Sequence, residues 1–296
     1  MRVLWIFWVF ASGQLFGEVS EKIEVVDDSG RNVRLQAPAM RVVSLAPNLT
    51  EILFHLGVGD RIVGADEYSN DPPAAKSITR VNNHAAANFE LILSLQPDLV
   101  VAWQSGNGAR IIRRLRELGL PVFVVETRSI ADIPSLYRRL GALVGMPKSA
   151  AAQADDFAER VSVLRNQYQQ RTPVRLFYQI WRDPLMTVNG QHLISDVVAL
   201  CGGRNIFHDA APLVPSVGVE AVIAADPEVI VSSGSAVGLT EWRSQWRQWE
   251  DISAVANNHL YLIPPDLMQR ESPRLLEGAE YLCQYLDAAR PTVKSQ

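Results

Sequence analysis

The sequence predicts an α/β fold of two lobes, each a parallel sheet flanked by helices, joined by one long backbone α-helix with a ligand cleft between the lobes. Three observations carry this expectation. Short apolar strands alternate with amphipathic helices along the chain, the order that buries parallel strands between helical layers. A succession of segments in the first half recurs in the second. Between the halves stands a long Ala-, Gln- and Glu-rich helical stretch, unlike the Gly/Ser tether of independent domains.

Composition narrows the function classes before any motif does. The 296 residues are 48% apolar and 20% charged, enough to bury a sizeable core. With 28 Lys+Arg against 32 Asp+Glu the net charge is −4, so no basic field exists to hold a polyanion and nucleic acid is not expected as a partner. The two cysteines, Cys201 and Cys283, are too few for a zinc framework but suffice for one bridge in an oxidising compartment.

Residues 1–17 place Arg2 ahead of the apolar run Val3–Ala11, followed by small and polar residues, as a secretory signal does. That run is too short for a bilayer of about 30 Å, so cleavage near Gly17, export and no membrane insertion thereafter are expected. A buried N-terminal strand is the competing reading. Residues 18–40 form an extension in which 22–36 alternate apolar and polar around Asp28-Ser29-Gly30, the pattern of a β-hairpin.

The N-terminal lobe is expected over 41–146. It opens on a buried strand within RVVSLAPN (41–48), then a helix capped by Thr50 and stopped at Gly57, then a strand at 61–65. FELILSLQPDLVVAW (89–103) reads as a helix broken at Gln96-Pro97 that feeds the strand Leu99–Trp103. Gly106-Asn107-Gly108 reads as a loop, 110–118 as a helix and 121–126 as a strand. Residues 147–172 are the linker helix, opened by Pro147 and ended by Pro173, with Phe157, Val161, Leu164 and Tyr168 on one stripe. About 24 residues at 1.5 Å each span about 36 Å, close to a domain diameter, so the lobes are expected to tilt only modestly. The C-terminal lobe covers 173–290 and a tail 291–296.

The repeat aligns ELILSLQPDLVV (90–101) with EAVIAADPEVIV (220–231), and TEILFHLG (50–57) with SDVVALCG (195–202). Both pairs match in apolar spacing, and the first also in its Glu, its Pro and an acidic residue. Duplication and generic α/β grammar both account for matches of this length.

Signatures of catalysis are missing. The chain contains no G-x-S-x-G, G-x-x-x-x-G-K-[ST], H-E-x-x-H or C-x-x-C. His55, His84, His192, His208 and His259 lack metal-ligand spacing and read mostly as surface or helix-cap residues. No catalysis is expected. Open α/β sheets bind ligands at strand-end loops, and here those loops carry rings: Tyr68 after the strand at 61–65, Trp103 and Trp181 at the ends of theirs. Asp266, Met268 and Arg270 follow the strand at 260–264. Two readings stand for each: Trp103 and Trp181 as core or as ligand platforms, Asp266 and Arg270 as a surface ion pair or as ligand anchors. Trp242, Trp246 and Trp249, four and three apart, read as a helical core stripe.

The ordered set RVVSLAPNLTEILFHLG, VGADEYSNDPP, NFELILSLQPDLVVAW, the long helix, LCGGRNIF, VEAVIAADPEVIV and QRESPRLLEGAEYLCQYL closely resembles the periplasmic solute-binding proteins that deliver cobalamin to an ATP-driven importer. The resemblance covers roughly 40–290. It implies two Rossmann-like lobes on one backbone helix with little hinge closure, a monomer that carries cobalamin or a related corrinoid as transported ligand, and an ABC transporter permease with its ATPase as partner. Residue by residue, Tyr68 and Trp103 match the rings that pack on the corrin. The segment Asp266, Leu267, Met268, Gln269 and Arg270 matches the one that contacts the ligand's polar periphery. Glu90 and Glu220 match two exposed glutamates that dock on permease arginines, although a Glu in a first helical turn also complements the macrodipole. Cys201 and Cys283 match the family's disulfide.

Two positions depart from the pattern. His84 and Val214 stand where the cobalamin binders place tryptophans. Trp181 and Met186 are the residues positioned to replace the lost ring contacts, and a cleft-facing His84 would serve as a cobalt or iron ligand. Haem or a ferric siderophore therefore stays open as the cargo. A metal-handling, chelatase-like enzyme on the same two-lobe plan is the alternative of another class, and it requires a His/Glu cluster on one cleft wall.

Overall fold

A computed structural model describes residues 22–83, 86–234 and 238–291. The expected signal segment 1–17, His84 and nearly all of the tail lie outside these residues. The chain opens with the hairpin β1 (Ile23–Val26) and β2 (Asn32–Leu35), antiparallel as the alternation predicts. The Asp27 carboxylate accepts from the Ser29 and Arg31 backbone N–H groups within the hairpin. It pairs with Arg116 at 2.9 Å, which pins the extension to the N-terminal lobe.

That lobe is a five-stranded parallel sheet in the order β5-β4-β3-β6-β7, with β3 Val42–Ser44, β4 Ile62–Asp66, β5 Arg80–Asn82, β6 Leu99–Trp103 and β7 Val122–Val125. Helices α1 (Pro47–His55), α2 (Phe89–Ser94) and α3 (Gln104–Glu117) lie between successive strands, and α4 (Asp132–Leu143) follows β7. The second lobe is a four-stranded parallel sheet ordered β11-β10-β8-β9, with β8 Val174–Gln179, β9 Gly203–Asn205, β10 Val229–Ser233 and β11 Leu260–Ile263. Reading outward from the first strand of each lobe, β4-β3-β6-β7 corresponds to β9-β8-β10-β11, so the repeat in sequence is also a repeat of topology. The matched Gln96 and Asp226 both adopt left-handed backbone, φ 48° and 42°, where α2 and α7 (Val219–Ala225) stop ahead of their prolines.

Between the lobes runs α5, Pro147–Tyr168, with Pro147 in its first turn and the stripe Phe157, Val161, Leu164 and Tyr168 buried. Its 22 residues span about 33 Å. The helix ends at Tyr168, not at 172, because the residue before Pro173 disfavours the α region and the last turns unwind ahead of it. Gly141 of α4 meets α5 so closely that a Cβ there would stand 2.1 Å from that of Ala150. On the other side Arg160 pairs with Glu280 of α11 (Leu275–Ala289) at 3.0 Å. One hydrophobic cluster runs unbroken from Val42 and Phe123 through Phe157 to Leu176 and Leu282, so the strut is packed into both lobes. Cys201, at the end of α6 (Leu193–Leu200), is disulfide-bonded to Cys283 of α11.

Two local expectations need correction. Thr50 is not an N-cap: Pro47 starts α1 earlier, after Ala46, and the buried Thr50 hydroxyl bonds Ser44 and Ser69. Its counterpart Ser195 likewise lies inside α6, whose cap is His192, accepting from the Ile194 N–H. Gly106-Asn107-Gly108 is not a loop. Helical structure begins at Gln104 and breaks only at Gly108, φ 74°. The Asn107 side chain accepts from the Trp103 N–H and donates to the Leu45 carbonyl, tying this turn to β3. No helix among the described residues is long and apolar enough to cross a membrane.

Candidate functional site

The strand order of each sheet reverses beside its first strand, β3 in one lobe and β8 in the other, and both carboxyl ends face one cleft. Such switch points are where open α/β sheets hold ligands. A cavity of about 340 Å³ lies against Leu45, Tyr68 and Trp103 on the N-terminal side and Asp266 and Arg270 on the other. A second, of about 530 Å³, is walled by Gln179, Trp181, Ser232 and Trp242. Both touch Pro265 and Gln269, so they are two halves of one cleft.

Each ring is held by its backbone. Tyr68 sits in a turn fixed by Asp66, whose carboxyl accepts from the Tyr68 N–H at 2.9 Å and from Asn82 Nδ2 at 2.7 Å. Burial pushes the Asp66 carboxyl above its ordinary range, and those hydrogen bonds oppose the push. The Tyr68 side chain is 49% exposed and Trp181 63%, large apolar surfaces left to a cleft. Trp103 ends β6 half-buried, with Gly106 against its ring: a Cβ there would lie 1.9 Å from the indole. Trp103 is therefore neither pure core nor free, but a wall of the cavity. Trp181 stands beyond the end of β8, its indole N–H donating to the Asp183 carbonyl, and its strand bridge to Met186 places both on the C-terminal side.

The segment after β11 divides. α10 (Pro265–Met268) and the two residues after it send Asp266, Gln269 and Arg270 to the cleft. Leu267 and Met268 turn into the core and line neither cavity. Arg270 is almost wholly enclosed. Its guanidinium meets Glu51 of α1 at 2.6 Å, Asn70 Oδ1 at 2.9 Å, the Tyr68 carbonyl at 3.2 Å and Asp266 at 2.8 Å, three N-lobe partners and one of its own lobe. Arg274 lies 3.7 Å from Glu51 and 3.6 Å from Asp71, and Asn48 donates to Glu271 at 2.8 Å. Burial raises the Glu51 carboxyl's pKa, against Ser272 and the two guanidinium groups, and its Oε2 makes no hydrogen bond of standard geometry.

The buried Gln179 forms the floor of the larger half, accepting through Oε1 from the indole N–H groups of Trp242 at 2.9 Å and Trp246 at 3.1 Å. These tryptophans are core, as the helical stripe predicts, while Trp242 also shows one face to the cavity. Val214 is half-buried and lines neither half. Glu90 and Glu220 are exposed in the first turns of α2 and α7. Among the described residues no group of three His, Cys, Asp or Glu side chains is placed to hold a metal ion. Sequence reasoning missed Glu51, Asp66, Asn70 and Gln179. Glu51 left one signal, a charge set among the apolar positions of TEILF; the others left none.

Two like lobes on a rigid strut, with an aromatic-walled cleft at their strand ends, define a solute receptor of the two-lobed class. The chain belongs to the periplasmic binding protein family, whose model matches residues 42–267. It is 38% identical to the vitamin B12-binding protein of Vibrio cholerae over 254 residues, 86% of this chain and 91% of that one. It is 37% identical to the vitamin B12-binding protein of Yersinia pestis over 86% of this chain and 88% of the other. The crystal structure of the periplasmic vitamin B12 binding protein BtuF of Vibrio cholerae superimposes with a TM-score of 0.80, covering 85% of this chain and 98% of that one. A periplasmic heme-binding protein, RhuT from Roseiflexus sp. RS-1, matches at a TM-score of 0.76 with 22% identity, covering 85% and 100%, a likeness of fold.

Proposed function

We propose that this protein captures cobalamin, or a closely related corrinoid, in the periplasm and delivers it to the permease of an ABC importer. The observation that carries this reading is the cleft itself. Tyr68 and Trp103 from one lobe and Trp181 from the other converge on a space whose polar edge is Asp266, Gln269 and Arg270, and relatives of 38% identity are vitamin B12-binding proteins. Rings and apolar walls cover the macrocycle, and the polar edge meets its amide periphery. Lobes 41–146 and 173–290 are the two walls and α5 holds them apart, so capture needs little closure. Met186 backs Trp181.

The protein acts as a monomer, exported by the segment 1–17, and does no chemistry on its cargo. Glu90 and Glu220, related by the repeat, present the loaded receptor to the two halves of the permease, since a pseudo-symmetric pair of charges suits a two-fold partner. Calorimetric titration of the oxidised protein with cyanocobalamin, cobinamide and haemin tests the reading. Tight one-to-one binding of cyanocobalamin is expected; uptake of haemin alone would refute it.

A further inference from the structure

Arg270 is the cleft's most enclosed cation, yet its donors are already spoken for. One terminal nitrogen gives its hydrogens to Glu51 and Asn70, the other to the Tyr68 carbonyl and Asp266. Only Nε–H is left. Glu51 decides this arrangement: it comes from α1 in the opposite lobe, 219 positions away in sequence, and its side chain is 3% exposed against 10% for Arg270. A carboxylate placed so deep beside a guanidinium neutralises it where no solvent competes. What the segment still offers the cavity is acceptor oxygen. Asp266 Oδ2 has only a long contact, 3.5 Å, to Asn70. The neighbouring charges sum to no excess of cation, with Asp66 and Asp71 on the N-lobe side and Asp266 facing them, against Arg270 and Arg274.

We infer that Glu51 is a positioning residue that sets ligand selectivity: by saturating Arg270 across the lobe boundary it leaves the cleft edge rich in acceptors, favouring a macrocycle fringed with amide donors over one fringed with carboxylates. The inference rests on the cobalamin reading and adds to it the chemistry of discrimination. An amide N–H finds Asp266, whereas a carboxylate meets oxygen and no free guanidinium.

The test compares cyanocobalamin with its monocarboxylate derivatives, one side-chain amide replaced by an acid, on the wild type, Glu51→Gln, Arg270→Gln and the double variant. The wild type is expected to prefer the amide form by roughly tenfold or more. Glu51→Gln keeps the shape, frees a cation and shifts the ratio of dissociation constants toward the acid by a similar factor. The double variant returns the ratio toward wild type, which loss of packing alone would not do. Should Glu51→Gln fail to fold, Arg270→Gln makes the mirror prediction, a sharper rejection of the acid. Equal binding of both forms by the wild type, or a ratio unmoved in folded Glu51→Gln, overturns the inference while leaving the cobalamin reading intact. A wild type that binds neither corrinoid overturns both.

Discussion

Gln179 and Trp242 meet at 2.9 Å beneath the cleft, and the same amide oxygen takes a second indole N–H from Trp246. The last residue of β8 thereby holds the helix α8 (Leu239–Trp246) in place as one side of the ligand space. Gln179→Leu leaves two buried donors without an acceptor, at a cost of about 2–4 kcal/mol. Urea unfolding is the measurement, with Gln179→Glu, which keeps an acceptor, expected to lose less.

Trp103→Ala removes a ring that is half-buried and faces the smaller half of the cleft. A cobalamin affinity lower by about 10- to 100-fold is expected, with a smaller change in the melting temperature than a core tryptophan would give. Gly106→Ala should imitate it in part, because the added methyl has to displace the indole. Calorimetric titration beside thermal melts separates the two effects. Unchanged affinity in both variants would remove Trp103 from the site.

Reduction of the Cys201–Cys283 bond, or Cys201→Ser with Cys283→Ser, releases a separation of 82 residues. The chain-entropy model assigns such a loop about 4 kcal/mol. The unfolding midpoint should fall accordingly under reductant, and a midpoint that does not move would show that packing of α6 on α11 carries the contact by itself.

Glu271 gives the protein a pH dependence. Burial pushes its carboxyl up to about 7 from an ordinary value of 4.5, and Glu126 adds to the rise. A group raised on folding contributes stability that is full below the unfolded value and is lost as pH climbs through the folded one. Between pH 4.5 and pH 8 the wild type should lose up to about 3 kcal/mol relative to Glu271→Gln, which keeps the partner for Asn48 and does not ionise. Parallel stability profiles for the two proteins would contradict this.

Charge reversal at Glu90 and Glu220 should lower cobalamin uptake by cells, the double variant more than either single one. Titration of the purified variants distinguishes a docking defect from a capture defect, and loss of ligand affinity would count against the docking role.

Much of the architecture was legible because it is written in short-range pattern. Strand and helix periods, the stop at Gly57, Pro147 opening the long helix and the two matched segments all involve residues within a few positions of each other, and the folded chain repeats them as β4-β3-β6-β7 and β9-β8-β10-β11. The pairing of Cys201 with Cys283 and the convergence of Tyr68, Trp103 and Asp266 were legible through resemblance. The cap assignment failed at Thr50 because a buried hydroxyl that bonds across elements looks, in sequence, like one that caps its own helix.

Two α/β lobes, a stiff helical connection and aromatic strand ends follow from local propensity and burial, which short stretches of residues carry. The role of Arg270 is set by long-range packing. An exposed arginine would anchor a ligand. Enclosed between Glu51, Asn70 and the Tyr68 carbonyl, it ties the lobes together, and that choice depends on groups some 200 positions away brought into low dielectric by the closing of the two lobes.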